Sequence, residues 1–589
     1  MPMISINLFR FAAFFLALGF SSHAAETGPS PLSATLPGGA YAYVETNKLG
    51  EVLQLFHESQ VLRHVLASEL FAEVQSSEGL VKAYAGKALA EHVLRMDLWE
   101  ACEKLLGGEI GLGLYPREEA KQPHAVLLLR PQDQEAWTTQ RAWIEPLLDL
   151  VAKPMESASG IRGFIAQGKE DQPVYIALHE AWLAVTTETT LLEKTIALQM
   201  GSAADVETLA KSALFQKVAP MRTAKESLVE AVIDIETISK SLGAGKRFGF
   251  SDKMSNPLGS LLVGGIRELG LNSQVALLTL DADADSFILE TRMDGSPGKL
   301  EQGHQIYFCD HPKTGIMPLP KVPNLIGGFT FHREIGEWYR ERDQLLDAQV
   351  LPEFDKFEAG IGNILPGKDF GEDVMRLLGN NITFVSAVQN FEHLEGELGI
   401  ELPAFAFVID LAEPEEGEAI FQLFVQTLLS VLNLEAAKQQ RQPWLIDTVI
   451  HDDVKITTAR YLQKPKGKDL PIVFNFLPAA ARVGDQYIIS SSLPLCRNLI
   501  NALGAPEVTR LNENFALDLD VGPLVDILRA NETHLQTQRV VEGRSVNQAK
   551  SDIELVLAIL QSIKGLSAST SATEQGFTLR LSGAFNEGR

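Results

Sequence analysis

The sequence predicts an α+β fold, built as two tandem copies of one mixed domain. Short stretches of alternating apolar and polar residues predict strands. Tight turns between neighbouring strands, as in VYIALHEAWLAV (174–185), favour antiparallel pairing. Long helical spans such as 60–106 and 335–378 lie among these strands. This mixture favours the α+β class over a parallel, doubly wound sheet.

The duplication is predicted from six pairs of segments that follow in the same order along the chain. The first pair is GGAYAYVETNKLGEVLQLF (38–56) with GGFTFHREIGEWYRER (327–342), which share a glycine pair, a strand and the start of a helix. The other pairs are 104–114 with 376–386, 123–137 with 403–420, 179–198 with 484–503, 231–238 with 516–527, and 285–296 with 575–586. Repeats in a fixed order indicate one structural unit used twice.

The repeats and the N-terminal segment define the predicted domains. These are a signal peptide at 1–24, a short tail at 25–35, a first copy at 36–295, a linker rich in Gly and Pro at 296–322, and a second copy at 323–589. The signal peptide is inferred from Arg10, an apolar run at 11–20, and the small residues Ser22 and Ala24 before the expected cleavage point. We therefore expect an exported protein, in the periplasm or outside the cell.

Composition limits the partners of this chain. It has 589 residues, 45% hydrophobic and 22% charged, with a formal net charge of −25. Nucleic-acid binding needs clustered Lys and Arg, so the acidic balance argues against it. No apolar run after the signal peptide reaches membrane-spanning length, so we expect no transmembrane segment after cleavage. The expected partner is an envelope protein or polymer.

The serine cluster 490–492 is the segment that looks most like catalytic chemistry. A nucleophile elbow needs glycines around its serine, and none flank this cluster. The first copy has Val-Thr-Thr at 185–187 in the matching place, so we interpret the serines as an N-cap for the next helix. Cys496 matches a leucine at 191 or 192 and is predicted to be a small core residue.

Other apparent sites also lack residues that their sequence motifs require. His179 begins an HExxH-like motif without its second histidine and is predicted to lie at a hairpin tip. Residues 241–250 lack the Ser or Thr that follows the Lys of a phosphate loop, where position 247 is Arg, and the Gly expected at position 240 is Lys. Residues 281–286 lack the glycine of a calcium loop and are predicted to be a hairpin loop. Three linker residues have the chemistry of zinc ligands but no standard spacing: His304, Cys309 and His311. We predict no cofactor.

Two alternating carboxylate pairs remain as candidate sites. Asp234 and Glu236 lie in VIDIE, and Asp518 and Asp520 lie in ALDLD. Period-two spacing would place each pair on one face of a strand, where it could bind a cation or a polar ligand. A strand with one solvated face explains the same pattern, because antiparallel sheets commonly have such a face.

The order of elements resembles a family of uncharacterised exported bacterial proteins defined by a domain of unknown function. The segments that carry the resemblance are 36–56, 105–114, 175–196 and 209–218. It implies export and a mixed α/β fold, and it provides no catalytic residues.

The sequence thus predicts a non-catalytic envelope binding or scaffold protein. The alternative is an envelope hydrolase with an unrecognised active site, using carboxylates such as Asp518 and Asp520. A binding protein should keep a related surface on both copies, whereas an enzyme concentrates unlike polar groups in one pocket.

Overall fold

The structure, a computed structural model, describes most of the chain after residue 31. The described residues are 32–47, scattered positions between 50 and 92, 95–117, 123–168, 172–203, 205–223, 227–241, 255–283, 285–309, 315–365, 367–504 and 509–586. The predicted α+β class is confirmed. The signal peptide, residues 241–250 beyond Ser241, and His311 lie outside the described residues.

Contacts divide the chain into two compact units. Unit 1 is Met1–Phe248, Ser273–Asp294 and Glu587–Arg589, and unit 2 is Gly249–Asn272 with Gly295–Asn586. Residues 296–322, predicted to be a linker, therefore belong to unit 2, where Gln302–Tyr307 forms a 3-10 turn.

Unit 1 contains one antiparallel sheet and short helices. Its strands are β1 (Ala42–Thr46), β2 (Glu109–Tyr115), β3 (His124–Arg130), β4 (Lys153–Glu156), β5 (Arg162–Gln167), β6 (Pro173–Leu178), β7 (Leu183–Thr186), β8 (Val229–Asp234), β9 (Val275–Ala282) and β10 (Ser286–Met293). Its described helices are α1 (Leu98–Ala101), α2 (Gln134–Val151), α3 (Thr189–Gln199), α4 (Ala213–Val218) and α5 (Ile235–Ser241). The strand order is β4-β5-β6-β7-β3-β2-β1-β8-β9-β10.

Unit 2 contains ten further antiparallel strands and longer helices. Its strands are β11 (Leu325–His332), β12 (Leu378–Ala387), β13 (Ala404–Leu411), β14 (Trp444–His451), β15 (Val454–Tyr461), β16 (Ala479–Val483), β17 (Gln486–Ser490), β18 (Phe515–Asp520), β19 (Ile563–Thr573) and β20 (Gly576–Phe585). Its helices are α6 (Pro257–Asn272), α7 (Ile335–Arg340), α8 (Arg342–Leu345), α9 (Leu351–Ile364), α10 (Pro414–Lys438), α11 (Leu493–Leu503), α12 (Val521–Ala530), α13 (Glu532–Val541) and α14 (Val546–Ser562). The strand order is β14-β15-β16-β17-β13-β12-β11-β18-β19-β20.

The two sheets have the same strand order when the strands of each unit are counted from its start. β1 takes the place of β11, β2 that of β12, and so on to β10 and β20. The helix after the third strand is α2 in unit 1 and α10 in unit 2. The helix after the seventh strand is α3 or α11, and the helix after the eighth is α5 or α12.

Each unit packs helices against both faces of its sheet, α3 and α2 in unit 1 and α11 and α10 in unit 2. In unit 1, Tyr43 on β1 and Val126 on β3 are fully buried together with Leu192 on α3. In unit 2, Ile488 on β17 packs with Cys496 on α11. Burying an aliphatic side chain contributes about 1.5–3 kcal/mol. The neighbouring β17 residue Tyr487 points to the opposite face and packs with Phe421 on α10, so both faces are covered there.

A buried arginine holds α6 within unit 2. Arg333 follows β11, and its side chain donates hydrogen bonds to the carbonyl oxygens of Leu261 and Leu262 on α6. It also donates to the carbonyl oxygens of Tyr307 and His332. Burial lowers the pKa of Arg333 to about 10. The neighbouring Trp338 indole donates to the Ser260 hydroxyl at 3.2 Å, a further contact to α6.

Candidate functional site

The first predicted carboxylate pair is divided between a strand and a helix. Asp234 ends β8, and its Oδ1 accepts the backbone N–H of Thr237 at 2.8 Å. Glu236 lies in α5, where its carboxylate pairs with Lys240 at 2.6 Å and Lys217 at 3.7 Å. The prediction that Glu236 shares a strand face with Asp234 is therefore wrong. The strand ends at Asp234 because this side chain caps the helix that follows.

The second pair lies on β18, but its members have different surroundings. Asp520 ends the strand, and its Oδ1 accepts the N–H of Gly522 at the start of α12. It therefore takes the structural place of Asp234. Asp518 lies within the strand, and its pKa is raised by burial. The pKa of Glu513 is also raised, mainly by burial and partly by the charge of Asp518. As a ligand site, this pair stays a prediction.

The serine cluster is buried in unit 2. Ser490, Ser491 and Ser492 are each at most 7% exposed. The Ser491 hydroxyl accepts the N–H of Phe405 at 2.8 Å. The Ser490 hydroxyl donates to the carbonyl of Ser492 and accepts its N–H. Ser492 is at the N-cap position of α11, but its side chain makes no capping hydrogen bond, so the predicted cap chemistry is wrong. The turn is closed by Ser490 instead.

Unit 1 has the same kind of turn, with threonine hydroxyl groups making the hydrogen bonds that serine hydroxyl groups make in unit 2. The Thr187 hydroxyl accepts the N–H of Ala125 at 3.0 Å, as Ser491 does from Phe405. The Thr186 hydroxyl donates to the carbonyl of Glu188 and accepts its N–H, as Ser490 does with Ser492. The sequence pairing with 185–187 is therefore shifted by one residue. Corrected by that residue, Cys496 falls opposite Leu192, and both are buried.

Cys496 is packed in the core of unit 2, as predicted. Its side chain is 0% exposed, and burial raises the pKa of its thiol to about 12. A thiol in this state carries little thiolate at neutral pH, so it is a poor nucleophile and a poor metal ligand. The side chain of Cys102 lies outside the described residues.

The remaining motifs have structural positions. His179 lies at the tip of the β6–β7 hairpin and stacks on Trp182 at 5.0 Å, and burial lowers its pKa. Of residues 281–286, Asp281 and Ala282 end β9 and Ser286 begins β10, and the side chain of Asp283 accepts the N–H of Ser286 between the two strands. Cys309 is buried, and its N–H donates to Asn514. No group of three potential metal ligands occurs among the residues that the structure describes.

Helix α2 in unit 1 exposes a row of apolar side chains that the sequence reasoning missed. Asp133 caps the helix by accepting two N–H groups, and Trp137 on one side is buried against Phe164 and Leu178. Another side carries an exposed row that we name stripe 1: Trp143, Leu147, Leu150 and Val151. Spacings of three and four residues place these side chains together on the helix. Leu150 is 82% exposed.

Helix α10, the corresponding helix of unit 2, exposes a similar row. Its buried side carries Phe421, Val425 and Leu429, which pack on the sheet. Another side carries stripe 2: Leu423, Val431 and Leu434. Leu434 is 62% exposed. Single exposed apolar residues are ordinary on protein surfaces, whereas grouped ones mark interaction sites. Here the grouping recurs on the helix after the third strand of both units.

Helix α10 is also long and apolar enough to cross a membrane. It is the one such helix found among the described residues. Its buried side packs on the sheet of unit 2, as expected for a helix that covers a sheet. The absence of a transmembrane segment after the signal peptide stays a prediction.

Comparisons with known proteins do not place this chain in a family. No family model and no curated protein matches it. Crystal forms III and I of TP0453 each align with 47% of this chain and with 83% and 81% of their own chains, at 9% and 10% identity. The TM-scores are 0.24 and 0.22, so these alignments carry no argument. The family resemblance and the predicted export remain predictions.

Proposed function

We propose that this chain is an exported, non-catalytic binding protein, which recognises an apolar surface of an envelope protein through stripe 1 and stripe 2. The observation that supports this proposal is the recurrence of an exposed apolar row on α2 and on α10. A binding protein that repeats its domain is expected to repeat its binding surface. An enzyme has no such requirement.

We also propose that the two units originated as tandem copies of one domain. Their common strand order supports it, as do the matching hydroxyl turns of Thr186 and Ser490. The strand order alone could reflect a shared architecture. The side-chain hydrogen bonds at equivalent positions are more specific, because they depend on a hydroxyl residue in the same place of each unit.

The net charge indicates which kind of partner can bind to the two stripes. A chain with a net charge of −25 is repelled by anionic lipid headgroups and by a second copy of itself. Around stripe 1, Glu145 pairs with Arg141 and Asp149 pairs with Arg162, so these four local charges balance. A protein surface with an apolar centre fits the stripe, and a basic border fits the net charge of the chain.

The alternative function is an envelope hydrolase that uses Asp518. It is favoured by one observation, the raised pKa of Asp518 and of Glu513, because perturbed carboxylates are common in active sites. Against it, Asp520 is engaged as a helix cap, and the hydroxyl and thiol nucleophiles at 490 and 496 are buried. We therefore prefer the binding protein.

The test is in-cell photocrosslinking with a photoreactive residue at single positions. Leu150 in stripe 1 and Leu434 in stripe 2 are the probe positions, and the exposed positions Thr138 on α2 and Glu415 on α10 are their controls. We expect both probes to capture the same protein, through an apolar segment with neighbouring Lys or Arg, and the controls to capture none. Lipid adducts, different proteins at the two probes, or equal yields at the controls would contradict the proposal.

A further inference from the structure

Strand β14 is an open edge of the sheet in unit 2. In the part of the chain that the structure describes, it pairs with β15 and with no other strand. Its eight residues, Trp444–His451, include neither Pro nor Lys, and Ile450 is 74% exposed. An edge of this kind presents a row of unpaired backbone groups to solvent. Strand β14 can therefore accept a further strand.

The β14–β15 turn shows which backbone groups of β14 point away from the sheet. Residues 452–453 form a two-residue turn with positive φ angles of 46° and 62°, and His451 pairs with Val454 across it. In such a hairpin the two residues that flank the turn exchange backbone hydrogen bonds. The direction of these bonds alternates along the strand. The alternate residues therefore point their N–H and carbonyl groups outward: Ile446, Thr448 and Ile450.

One end of this edge is already occupied by a side chain that acts as a strand residue would. The Asn433 amide on α10 donates to the carbonyl oxygen of Trp444 at 2.8 Å, and the Asn433 side-chain oxygen accepts the Trp444 N–H at 2.8 Å. A residue of a paired strand makes the same two hydrogen bonds. Trp444 is an even-numbered residue of β14, so these bonds agree with the outward direction of Ile446 and Ile450.

Beyond Trp444 the edge is open to a partner. The Thr448 N–H is engaged by its neighbour Asp447, whose Oδ1 accepts it at 2.8 Å. The N–H and carbonyl groups of Ile446 and Ile450 make no hydrogen bond within the described part of the chain. These groups lie about 13 Å apart along the strand. An extended backbone presents donors and acceptors at matching intervals.

The corresponding strand of unit 1 is protected against such pairing. Strand β4 has the same place at the edge of the described strand order, but it has four residues and includes Lys153 and Pro154. Short length, lysine and proline are devices by which proteins block pairing at sheet edges. Strand β14 has none of the three, so the open edge is a feature of unit 2.

The charges around the hairpin tip favour a basic segment. Asp452 and Asp453 are exposed at the tip, and Lys455 lies opposite Ile450. The two carboxylates outnumber this cation, and the net charge of −25 acts in the same direction. A second copy of this chain would bring the same negative charge, so it is disfavoured as the partner.

We propose that β14 binds an extended segment of a partner protein, which adds to the sheet as a further strand and carries Lys or Arg near the hairpin tip. Its backbone would pair with Ile446 and Ile450. A helix or a lipid is excluded because neither presents unpaired donors and acceptors at this interval. This surface uses no residue of stripe 1 or stripe 2, so its failure would leave the proposed function untouched.

The experiment is a fluorescence anisotropy titration of a labelled peptide, Lys-Val-Thr-Val-Thr-Val-Thr-Lys, with the purified full chain. A matched peptide with every internal amide nitrogen methylated keeps the side chains but cannot donate, so it should bind at least tenfold more weakly. A third peptide with Glu in place of both Lys residues should also bind more weakly. Amide hydrogen exchange in residues 444–451 should slow when the first peptide binds.

Ile450 provides a matched pair of protein variants. Ile450→Pro removes the outward N–H without removing a hydrogen bond to β15, and proline is tolerated on edge strands whose N–H faces solvent. It should weaken binding of the first peptide at least tenfold. Ile450→Val keeps the N–H and a branched side chain, so it should leave binding unchanged. Circular dichroism shows whether each variant folds, and the methylated peptide tests the same hydrogen bonds in the wild-type chain.

Several outcomes would overturn the proposal. These are no binding of the lysine peptide, equal binding of the methylated peptide, equal or tighter binding of the Glu peptide, or unchanged binding in a folded Ile450→Pro chain. Dimerisation of the wild-type chain in sedimentation, abolished by Ile450→Pro, would identify a second copy as the partner instead. Loss of peptide binding in a folded Ile450→Pro chain with normal crosslinking at Leu150 and Leu434 would separate this surface from the stripes.

Discussion

Replacing Arg333 by methionine should destabilise unit 2 and release α6 in particular. The guanidinium donates to four backbone carbonyl oxygens, with Nη2 at 2.6 Å from Leu262 O and Nη1 at 3.2 Å from Tyr307 O. The side chain is only 3% exposed. Methionine keeps the apolar stem and most of the volume but removes every donor. The carbonyls of Leu261 and Leu262 would still have their helical partners.

The expected loss of stability follows from two opposing terms. Hydrogen bonds from a charged donor contribute about 1.5–3 kcal/mol each, so the three that reach beyond the adjacent His332, to Leu261, Leu262 and Tyr307, contribute about 5–9 kcal/mol. Burial of the cation opposes this, because lowering the pKa of Arg333 from its ordinary value to about 10 corresponds to about 3 kcal/mol. The free energy of unfolding should therefore fall by about 2–6 kcal/mol.

Urea denaturation and hydrogen exchange test this prediction together. Amide exchange in residues 257–272 should accelerate more in Arg333→Met than exchange in β14 and β15, which lie at the other end of the sheet. The control is Arg340→Met on α7, where the arginine is exposed and pairs with Glu337, and its effect should stay within about 0.5 kcal/mol. A change below about 0.5 kcal/mol in Arg333→Met, or uniform acceleration of exchange, would refute the reasoning.

Two further predictions concern buried groups of unit 2. Iodoacetamide at pH 8 should label Cys496 only after unfolding, as read by mass spectrometry, because burial raises its thiol pKa to about 12. Since the unfolded thiol loses its proton near its ordinary value of 9.0 and the folded thiol does not, the free energy of unfolding should also fall as pH rises above about 9. Asp552→Asn should lower the free energy of unfolding by about 1–3 kcal/mol in urea, because Arg539 and Arg544 both donate to Asp552 Oδ2. Its control is Glu435→Gln, an exposed partner of Lys438, with an effect below about 0.5 kcal/mol. Labelling of native Cys496 at the unfolded rate, or a wild-type stability of Asp552→Asn, would contradict these expectations.

Local patterns predicted the strands well and their ends less well. Alternation identified β8 and β18, because one face of each strand packs inward. It also extended the first pattern to Glu236, since an alternating run and the first turn of a helix can have the same sequence of apolar and polar residues. Asp234 ends the strand by capping α5, and that role depends on geometry that the alternation does not encode.

The exposed surfaces were harder to predict. Helix α10 is apolar on two sides, so its sequence does not say which side meets the sheet and which forms stripe 2. The signal for stripe 1 was present as Trp143, Leu147 and Leu150 at helical spacing, but the same pattern is typical of a buried face. A cavity in unit 2 is lined by Tyr339, Glu358 and Phe370 from three separate elements, and no local pattern brings them together.

The most direct test of the proposed binding function measures how much of the crosslinked partner is recovered with the wild-type protein and with variants of the two stripes. Leu150→Glu and Leu434→Glu each place a charge in one stripe, and Thr138→Glu and Glu415→Lys place charge changes elsewhere on the same helices. We expect each stripe variant to reduce co-isolation of the partner, the double stripe variant to abolish it, and both controls to match the wild type. Full recovery of the partner by a folded double variant would contradict the account.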